Sequence, residues 1–349
     1  MKIVHIIYSL YGGGSENLLI DTVNEQVKTE DVSVIIVNDC YRDRMINEID
    51  KRTNVILLKR KTASKNPFPI IKLNYLLYKI KPDVVHLHSY TLPKIILNRF
   101  HKKSVFTIHA LNIPMDFSHK TRFMIAISDT VKQDASSRSN TLILTIPNGI
   151  NTDKIEFCHP KTKDKNSVFR IVQLGELKID AKGQDILIKA ISILNAKGIK
   201  NIEVDFIGEG NDKELLEKLV KENNLYSKIN FLGQKTRDYI YTNLKYYDLM
   251  CHPSRCEGFG LVIAEGLAAG LQILVPDSGG PYEVIEHGKY GSTFTNESAE
   301  DCAEKIEHIM KNYGEIVAKY NNGREYVIGK YSVARMAKEY INAYKEYIK

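Results

Sequence analysis

No run of about 18 apolar residues occurs in this 349-residue sequence, which excludes a membrane-spanning helix. No C-x-x-C pair occurs among the five cysteines, Cys40, Cys158, Cys251, Cys256 and Cys302. Scattered thiols fit a reducing compartment rather than a disulfide framework. Cys251, His252 and Cys256 lie close together, but no second ligand pair follows at zinc spacing, and structural zinc wants four ligands. The start of the chain lacks a small-residue cleavage site after its short apolar run, so it reads as a first core strand and not a signal peptide. Acidic charge is scarce in the first half. Residues 1–165 carry 25 Lys and Arg against 16 Asp and Glu, whereas residues 166–349 carry 24 against 26. The first half therefore holds the basic face, which suits an anionic ligand or surface. The length suggests roughly two domains.

What is present is a strand–helix rhythm. Residues 2–9 are apolar without polar alternation, the pattern of a strand covered on both faces of a parallel sheet. Gly12, Gly13 and Gly14 follow, then Ser15-Glu16 and a helical spacing from Asn17. Strand, glycine turn and helix form a phosphate cradle. The dinucleotide fingerprint G-x-G-x-x-G is missing, because position 17 is Asn. Further strands are expected over 32–38, 55–58, 83–88, 104–108, 123–128 and 142–146. In open α/β sheets ligands sit beyond the carboxyl ends of strands, which is where His88 and His109 fall. His86, inside its strand, reads as structural. Residues 153–166 are polar and hold Pro160 and four lysines, a linker composition.

The rhythm restarts at 168, with strands over 168–174, 202–207, 229–232, 248–252 and 272–275 and helices over 184–195, 212–223 and 237–247. Pro281 fits the first position of a helix and Glu283 its first turn. From 299 onward the chain reads as mostly helical. Residues 59–81 differ in character. Lys59-Arg60-Lys61 precedes Asn66-Pro67-Phe68-Pro69 and then IIKLNYLLYKIK. Ile70, Ile71, Leu73, Leu77 and Ile80 can share one helix face, with Tyr75 and Tyr78 flanking it. The apolar face is expected to pack on the sheet. The lysines suit either solvent or an anionic membrane surface.

The most informative stretch is 252–270, HPSRCEGFGLVIAEGLAAG. Glu257 and Glu265 stand eight positions apart. Gly258-Phe259-Gly260 between them marks a loop where backbone N–H groups can approach a ligand. Leu261-Val262-Ile263-Ala264 reads as a helix start, whose free N–H groups and dipole favour an anion.

In order along the chain stand GGGSE near the start, HxH at 86–88, the strand-end His109, PNGIN at 147–151, LGEL…KG at 174–183, FIGEG at 206–210, FLG at 231–233 and E-x7-E from Glu257 to Glu265. Together they resemble the retaining glycosyltransferases of the GT-B fold, of the glycosyltransferase family 4 (group 1) type, over nearly the whole chain. The resemblance implies an α/β fold of two Rossmann-like domains facing each other across a cleft. Residues 1–160 would form the acceptor-side domain, joined by a C-terminal helix over 332–349. Residues 161–331 would form the nucleotide-sugar donor domain.

The resemblance also implies roles. Glu265 would accept hydrogen bonds from ribose hydroxyls, as a carboxylate can. Glu257 would sit at the donor sugar, with Gly258, Phe259, Gly260, Leu261 and Val262 holding sugar and phosphate. Lys182 would neutralise the leaving diphosphate, where growing charge makes such contacts effective. His109 would lie near the sugar, and Gly13 and Gly14 near the diphosphate. Gly208 and Leu232 would belong to the loops that enclose the base. One departure is Glu176, where the family often has Arg. It would repel phosphates unless it turns away, with Lys178 or Arg255 as replacement cations.

No D-x-D occurs, which fits a metal-independent reaction with no cofactor. The expected activity is transfer of a sugar, from a UDP-linked hexose or N-acetylhexosamine, to a lipid-linked or polysaccharide acceptor with retention. The setting would be cell-surface polysaccharide synthesis at the cytoplasmic face of the inner membrane, with peripheral contact to anionic lipid. Two alternatives stay open: a sugar-nucleotide epimerase of the same fold, and a non-catalytic nucleotide-sugar binding protein. Nucleic acid is not an expected partner, since the tyrosines form no base-stacking motif.

Overall fold

The computed structural model describes residues 1–157 and 167–348. The chain divides into two compact units, one of residues 1–150 and 331–349 and one of residues 151–330. Each unit is an α/β layer structure on a parallel sheet. Among the described residues the first sheet has seven strands: β1 (Lys2–Ile7), β2 (Asp31–Asn38), β3 (Asn54–Arg60), β4 (Val84–Leu87), β5 (Ser104–Ile108), β6 (Phe123–Ala126) and β7 (Ile143–Thr145). Their order is β3-β2-β1-β4-β5-β6-β7. The second sheet has six: β8 (Phe169–Leu174), β9 (Ile202–Ile207), β10 (Ile229–Phe231), β11 (Leu249–Cys251), β12 (Gln272–Pro276) and β13 (Ser292–Phe294), in the order β10-β9-β8-β11-β12-β13.

The strand order explains where ligands can sit. In the first sheet the connections reverse between β1 and β4, and in the second between β8 and β11. Crevices open at such switch points, beyond the carboxyl ends of the strands. The residues just past those ends are Ser9 to Gly13, His88, Gly175 and the loop that starts at His252. The central strands are buried on both faces, as in β1, where every residue after Lys2 is buried. That is why they lack polar alternation.

The helix Val333–Tyr347 belongs to the first unit. Val333, Met336, Tyr340, Ala343 and Tyr344 recur at helical spacing and join Ile3, Leu18 and Val84 in one core. The turn PNGIN supplies its anchor. Ile150 N–H donates to the Tyr331 carbonyl at 2.7 Å, and Val333 N–H donates to the Ile150 carbonyl at 3.1 Å. A Cβ on Gly149 would stand 2.7 Å from Val333 Cα, so this crossing of backbones needs glycine.

Several local expectations shift. The expected linker over 153–166 falls mostly on residues 158–166, outside the described residues. The helix expected to begin at Pro281 is Gly279–Val284, preceded by Ser278 at the cap position, so Pro281 sits at its third position and Glu283 beyond its first turn. The helix expected around Ile70 is Phe68–Ile80, and there only Leu73, Asn74 and Leu77 are buried. Ile71, assigned to the packed face, is exposed instead. Among the described residues no helix is long and apolar enough to cross a membrane.

Candidate active site

In the second unit, β8 delivers Gly175 and β11 delivers His252 to the same end of the sheet. The short helix Ile179–Lys182 ends at Gly183, whose left-handed backbone stops it and leaves Lys182 at its tip. The Lys182 ammonium donates to Glu257 Oε2. His252 Nε2 stands 3.6 Å from the same oxygen. Burial pushes the Glu257 carboxyl up, but His252 and Lys182 outweigh it and hold the group down at about 2. His252 is fully buried, burial keeps its pKa below the ordinary value despite Glu257, and neither ring nitrogen has a hydrogen-bond partner among the described residues.

Glu257, Gly258, Phe259 and Gly260 run directly into the helix Leu261–Ala269. Gly260 caps it in the left-handed region, φ 93°, so no side chain occupies the first N–H groups from the cap position. Leu261 and Val262 form its first turn and are half-buried, and Phe259 is buried. Glu265 lies one turn further along. Tyr241 OH donates to Glu265 Oε1 at 3.3 Å and accepts from Arg237 at 2.8 Å. The sequence reading missed Tyr241, which bonds to Glu265, Arg237, which bonds to Tyr241, and His252, which stands beside Glu257. His252 follows a strand end directly, which was a usable signal; the tyrosine lies 24 residues from its partner and carried none.

The question of the missing cation at Glu176 resolves in part. Glu176 and Lys178 are both exposed. Arg255, named as a substitute cation, is committed elsewhere: its guanidinium holds Asp185 at 2.8 and 3.0 Å and the Ile179 carbonyl at 2.8 Å. It braces the segment that carries Lys182. Gly208 has a packing reason, since its Cβ would fall 1.8 Å from the Gly175 carbonyl oxygen. Leu232 is half-buried, its N–H on the Phe206 carbonyl.

In the first unit the glycine loop follows β1 and leads into the helix Gly14–Gln26. The Glu16 carboxylate accepts N–H bonds from Tyr11 and Gly13 at 2.8 Å and from Gly12, and a hydroxyl bond from Ser9 at 2.7 Å. The N–H of Gly13, a residue expected near the diphosphate, thus bonds to a carboxylate of the chain itself. Gly14 is the first residue of the helix. Burial works against the Glu16 charge, yet these donors lower its pKa below the ordinary value.

The strand ends β1, β4 and β5 bring four imidazoles together. His5 Nε2 contacts Gln26 Oε1 at 2.7 Å, His5 Nδ1 contacts His88 Nε2 at 3.0 Å, and His88 Nδ1 contacts His109 Nε2 at 3.3 Å. His86, as expected, is structural: its nitrogens meet Tyr344 OH and Thr107 Oγ1 inside the core. His5, His86 and His88 are close enough to suggest a metal site. Their rings instead stack, with centroids 4.5 Å apart and planes 21° apart for His86 and His88. Stacked rings do not aim their lone pairs at one point, and each ring nitrogen of the three already has a protein partner. Burial holds His5 and His109 down at about 4.

Two α/β units, each built on a parallel sheet, are the fold class that comparison with known proteins also gives. Residues 12–154 match the family model described as Glycosyltransferase Family 4, and residues 154–326 match that of Glycosyl transferases group 1. The chain belongs to the group 1 glycosyltransferases. It is 28% identical over 236 residues to an uncharacterized glycosyltransferase of Methanocaldococcus jannaschii, covering 64% of this chain and 59% of that protein. It is 25% identical over 197 residues to a GDP-mannose-dependent phosphatidylinositol monomannoside mannosyltransferase of Mycobacterium tuberculosis, covering 52% of this chain and 50% of that one. The chain thus spans little more than half the length of these curated relatives. Among solved structures, a glycosyltransferase from Rickettsia africae superposes with a TM-score of 0.82 at 22% identity over 100% of this chain and 98% of that one. Anabaena HepE, solved with UDP and glucose, gives 0.81 at 18% over 99% and 100%. These structures share the GT-B fold with this chain.

Proposed function

We propose that this protein transfers a sugar from a nucleotide diphosphate sugar, a UDP-linked hexose or N-acetylhexosamine, to a lipid-linked or polysaccharide acceptor with retention and without a metal. The observation that carries the reading is the Lys182–Glu257 ion pair at the entrance to the helix that starts after Gly260. The Lys182 cation and the start of that helix stand where a diphosphate would leave. When the glycosidic C–O bond breaks, its electron pair goes to the diphosphate oxygen. Lys182 and the N–H groups around Phe259, Gly260 and Leu261 stabilise that charge. The acceptor hydroxyl bonds to the anomeric carbon from the same face, and its proton passes to the leaving phosphate. Glu265 holds the ribose hydroxyls. His109, neutral by burial, faces the sugar, and Glu257 orients it.

The UDP of the HepE structure supports the choice of base, and the phosphatidylinositol acceptor in the mycobacterial relative's name supports a lipid-linked acceptor. The basic balance of residues 1–165 supports work at an anionic membrane on the cytoplasmic side. A panel of nucleotide sugars incubated with the protein in EDTA tests the reading. One donor should be hydrolysed slowly, and faster with acceptor. A strict metal requirement overturns the metal-free route. Conversion of the donor to an isomeric nucleotide sugar, with none transferred, makes the protein an epimerase.

A further inference from the structure

The helix Phe68–Ile80 has two apolar sides, and among the described residues only one is covered. Leu73 and Leu77 pack inward. Phe68, Ile71, Tyr75 and Tyr78 face out and are 72%, 59%, 62% and 56% exposed. At 100° per residue these four fall within one narrow stripe, and Lys72 and Lys79 lie along its edge. Leu97, at the start of the neighbouring helix Asn98–His101, adds a further exposed apolar side chain at 55%. Between the two helices runs a groove of about 650 Å³, lined by Ile70, Ile71, Tyr75, Leu97 and Phe100 with Lys94 and Arg99 on its rim. The Arg99 guanidinium sits over the Tyr78 ring, 5.1 Å from its centroid.

The charge around this stripe is one-sided. From Lys59 to Lys103 the chain has eleven Lys and Arg and a single acid, Asp83. That net +10 exceeds the +7 of the whole protein. Asp83, already counted in that balance, accepts the N–H of Lys2 at the start of β1. Lys59, Lys61, Lys65, Lys72, Lys79 and Lys94 are all exposed. An aromatic stripe edged by lysines, on a helix side that no other element covers among the described residues, is what an interfacial helix requires: rings at the headgroup level, cations against lipid phosphates. An ordinary solvated face would not carry four large apolar side chains in line.

We infer that the helix Phe68–Ile80 is a bilayer-docking face, which lies flat on an anionic membrane with Phe68, Ile71, Tyr75 and Tyr78 among the lipids and an acyl chain of one bilayer lipid in the groove beside it. The inference rests on, and deepens, the membrane part of the reading above, and it is independent of which sugar is moved. A polyanion such as RNA would satisfy the lysines but leave the stripe and groove unfilled. A second copy of this chain would bring an equal positive charge against them.

The sequence contains no tryptophan, so Tyr75→Trp creates a single reporter. With vesicles of phosphatidylglycerol and phosphatidylcholine its emission should shift to the blue, and brominated lipid should quench it. Pure phosphatidylcholine vesicles should bind far less, and about 1 M salt, which shortens screening to about 3 Å, should weaken the anionic binding. In co-sedimentation the triple variant Phe68→Ser, Ile71→Ser, Tyr75→Ser should lose at least about tenfold in affinity while its circular dichroism and its donor hydrolysis in solution stay unchanged. Unshifted emission from the Tyr75→Trp reporter, or equal sedimentation of the triple variant, overturns the inference. So does failure to bind vesicles combined with a dimer or an RNA complex that the triple variant loses. Absence of donor hydrolysis in the wild type would sink sugar transfer and leave the docking result standing.

Discussion

Lys182 and Glu257 form an ion pair, and the buried ring of His252 stands 3.6 Å from the same carboxylate oxygen. In that state the lysine is held in place but its charge is already spent on a neighbour. A diphosphate, with more charge than one carboxylate, competes for it. Lys182→Ala should therefore cut turnover more than tenfold, as removal of a charge-stabilising contact does, with rates near normal refuting the role. The variant should also show in acid titration. The folded Glu257 is held at about 2, below its unfolded value, so its contribution to stability is fully present above about pH 4.5 and is lost as pH falls toward 2. Without Lys182 the acid-unfolding midpoint should move to higher pH, read by circular dichroism; an unmoved midpoint would mean that His252 alone sets the carboxylate.

Glu265 accepts from Tyr241, which itself accepts from Arg237. A carboxylate accepts from several donors at once, which suits a pair of ribose hydroxyls. Glu265→Ala should weaken binding of the nucleoside diphosphate by about ten- to a hundredfold, the size of lost charge-assisted bonds. Tyr241→Phe should cost less, because the carboxylate itself remains. Isothermal titration with UDP decides this, and equal affinities for wild type and Glu265→Ala would remove the ribose role.

Both parallel sheets were legible in the sequence, because buried strands and glycine turns leave local signals. So was the glycine loop into the helix Leu261–Ala269. What was not legible depends on pairs far apart in the chain. Arg255 is engaged by Asp185, 70 residues away, and His5 by Gln26, 21 away. The helix Phe68–Ile80 has apolar residues on two sides, and composition cannot say which side the sheet will cover; the covered one is set by Leu73 and Leu77. The engagement of the Gly13 N–H did carry a signal that was passed over. Gly13 and Glu16 have the spacing of a helix cap and its third position, where a Glu reaches back to the cap N–H.

Glu16 lets three consecutive backbone N–H groups and the Ser9 hydroxyl share one carboxylate. Replacing it by Ala strands those donors beside the end of β1. Glu16→Ala should lower unfolding stability by about 1–3 kcal/mol in urea titrations. Glu16→Gln, which keeps one acceptor oxygen, should lose less. A neutral result for Glu16→Ala would mean that water replaces the carboxylate without cost.

The histidine chain makes a prediction that needs no substrate. With the Gln26 amide oxygen as acceptor, His5 carries its proton on Nε2 and leaves Nδ1 as acceptor for His88. His88 then donates from Nε2 and accepts at Nδ1 from His109 Nε2. All three share one tautomer, which leaves Nδ1 of His109 unprotonated. Nitrogen-15 spectra between pH 6 and 8 should show three neutral Nε2–H imidazoles, and a Nδ1–H signal for His109 would reverse the polarity. Because burial holds His5 and His109 at about 4, below the unfolded value near 6.5, the folded state takes up fewer protons. Their contribution to stability is complete above about pH 6.5 and is lost as pH falls toward 4. Gln26→Leu should free the far end of the chain, so that the His109 signal becomes a mixture of tautomers while the fold remains.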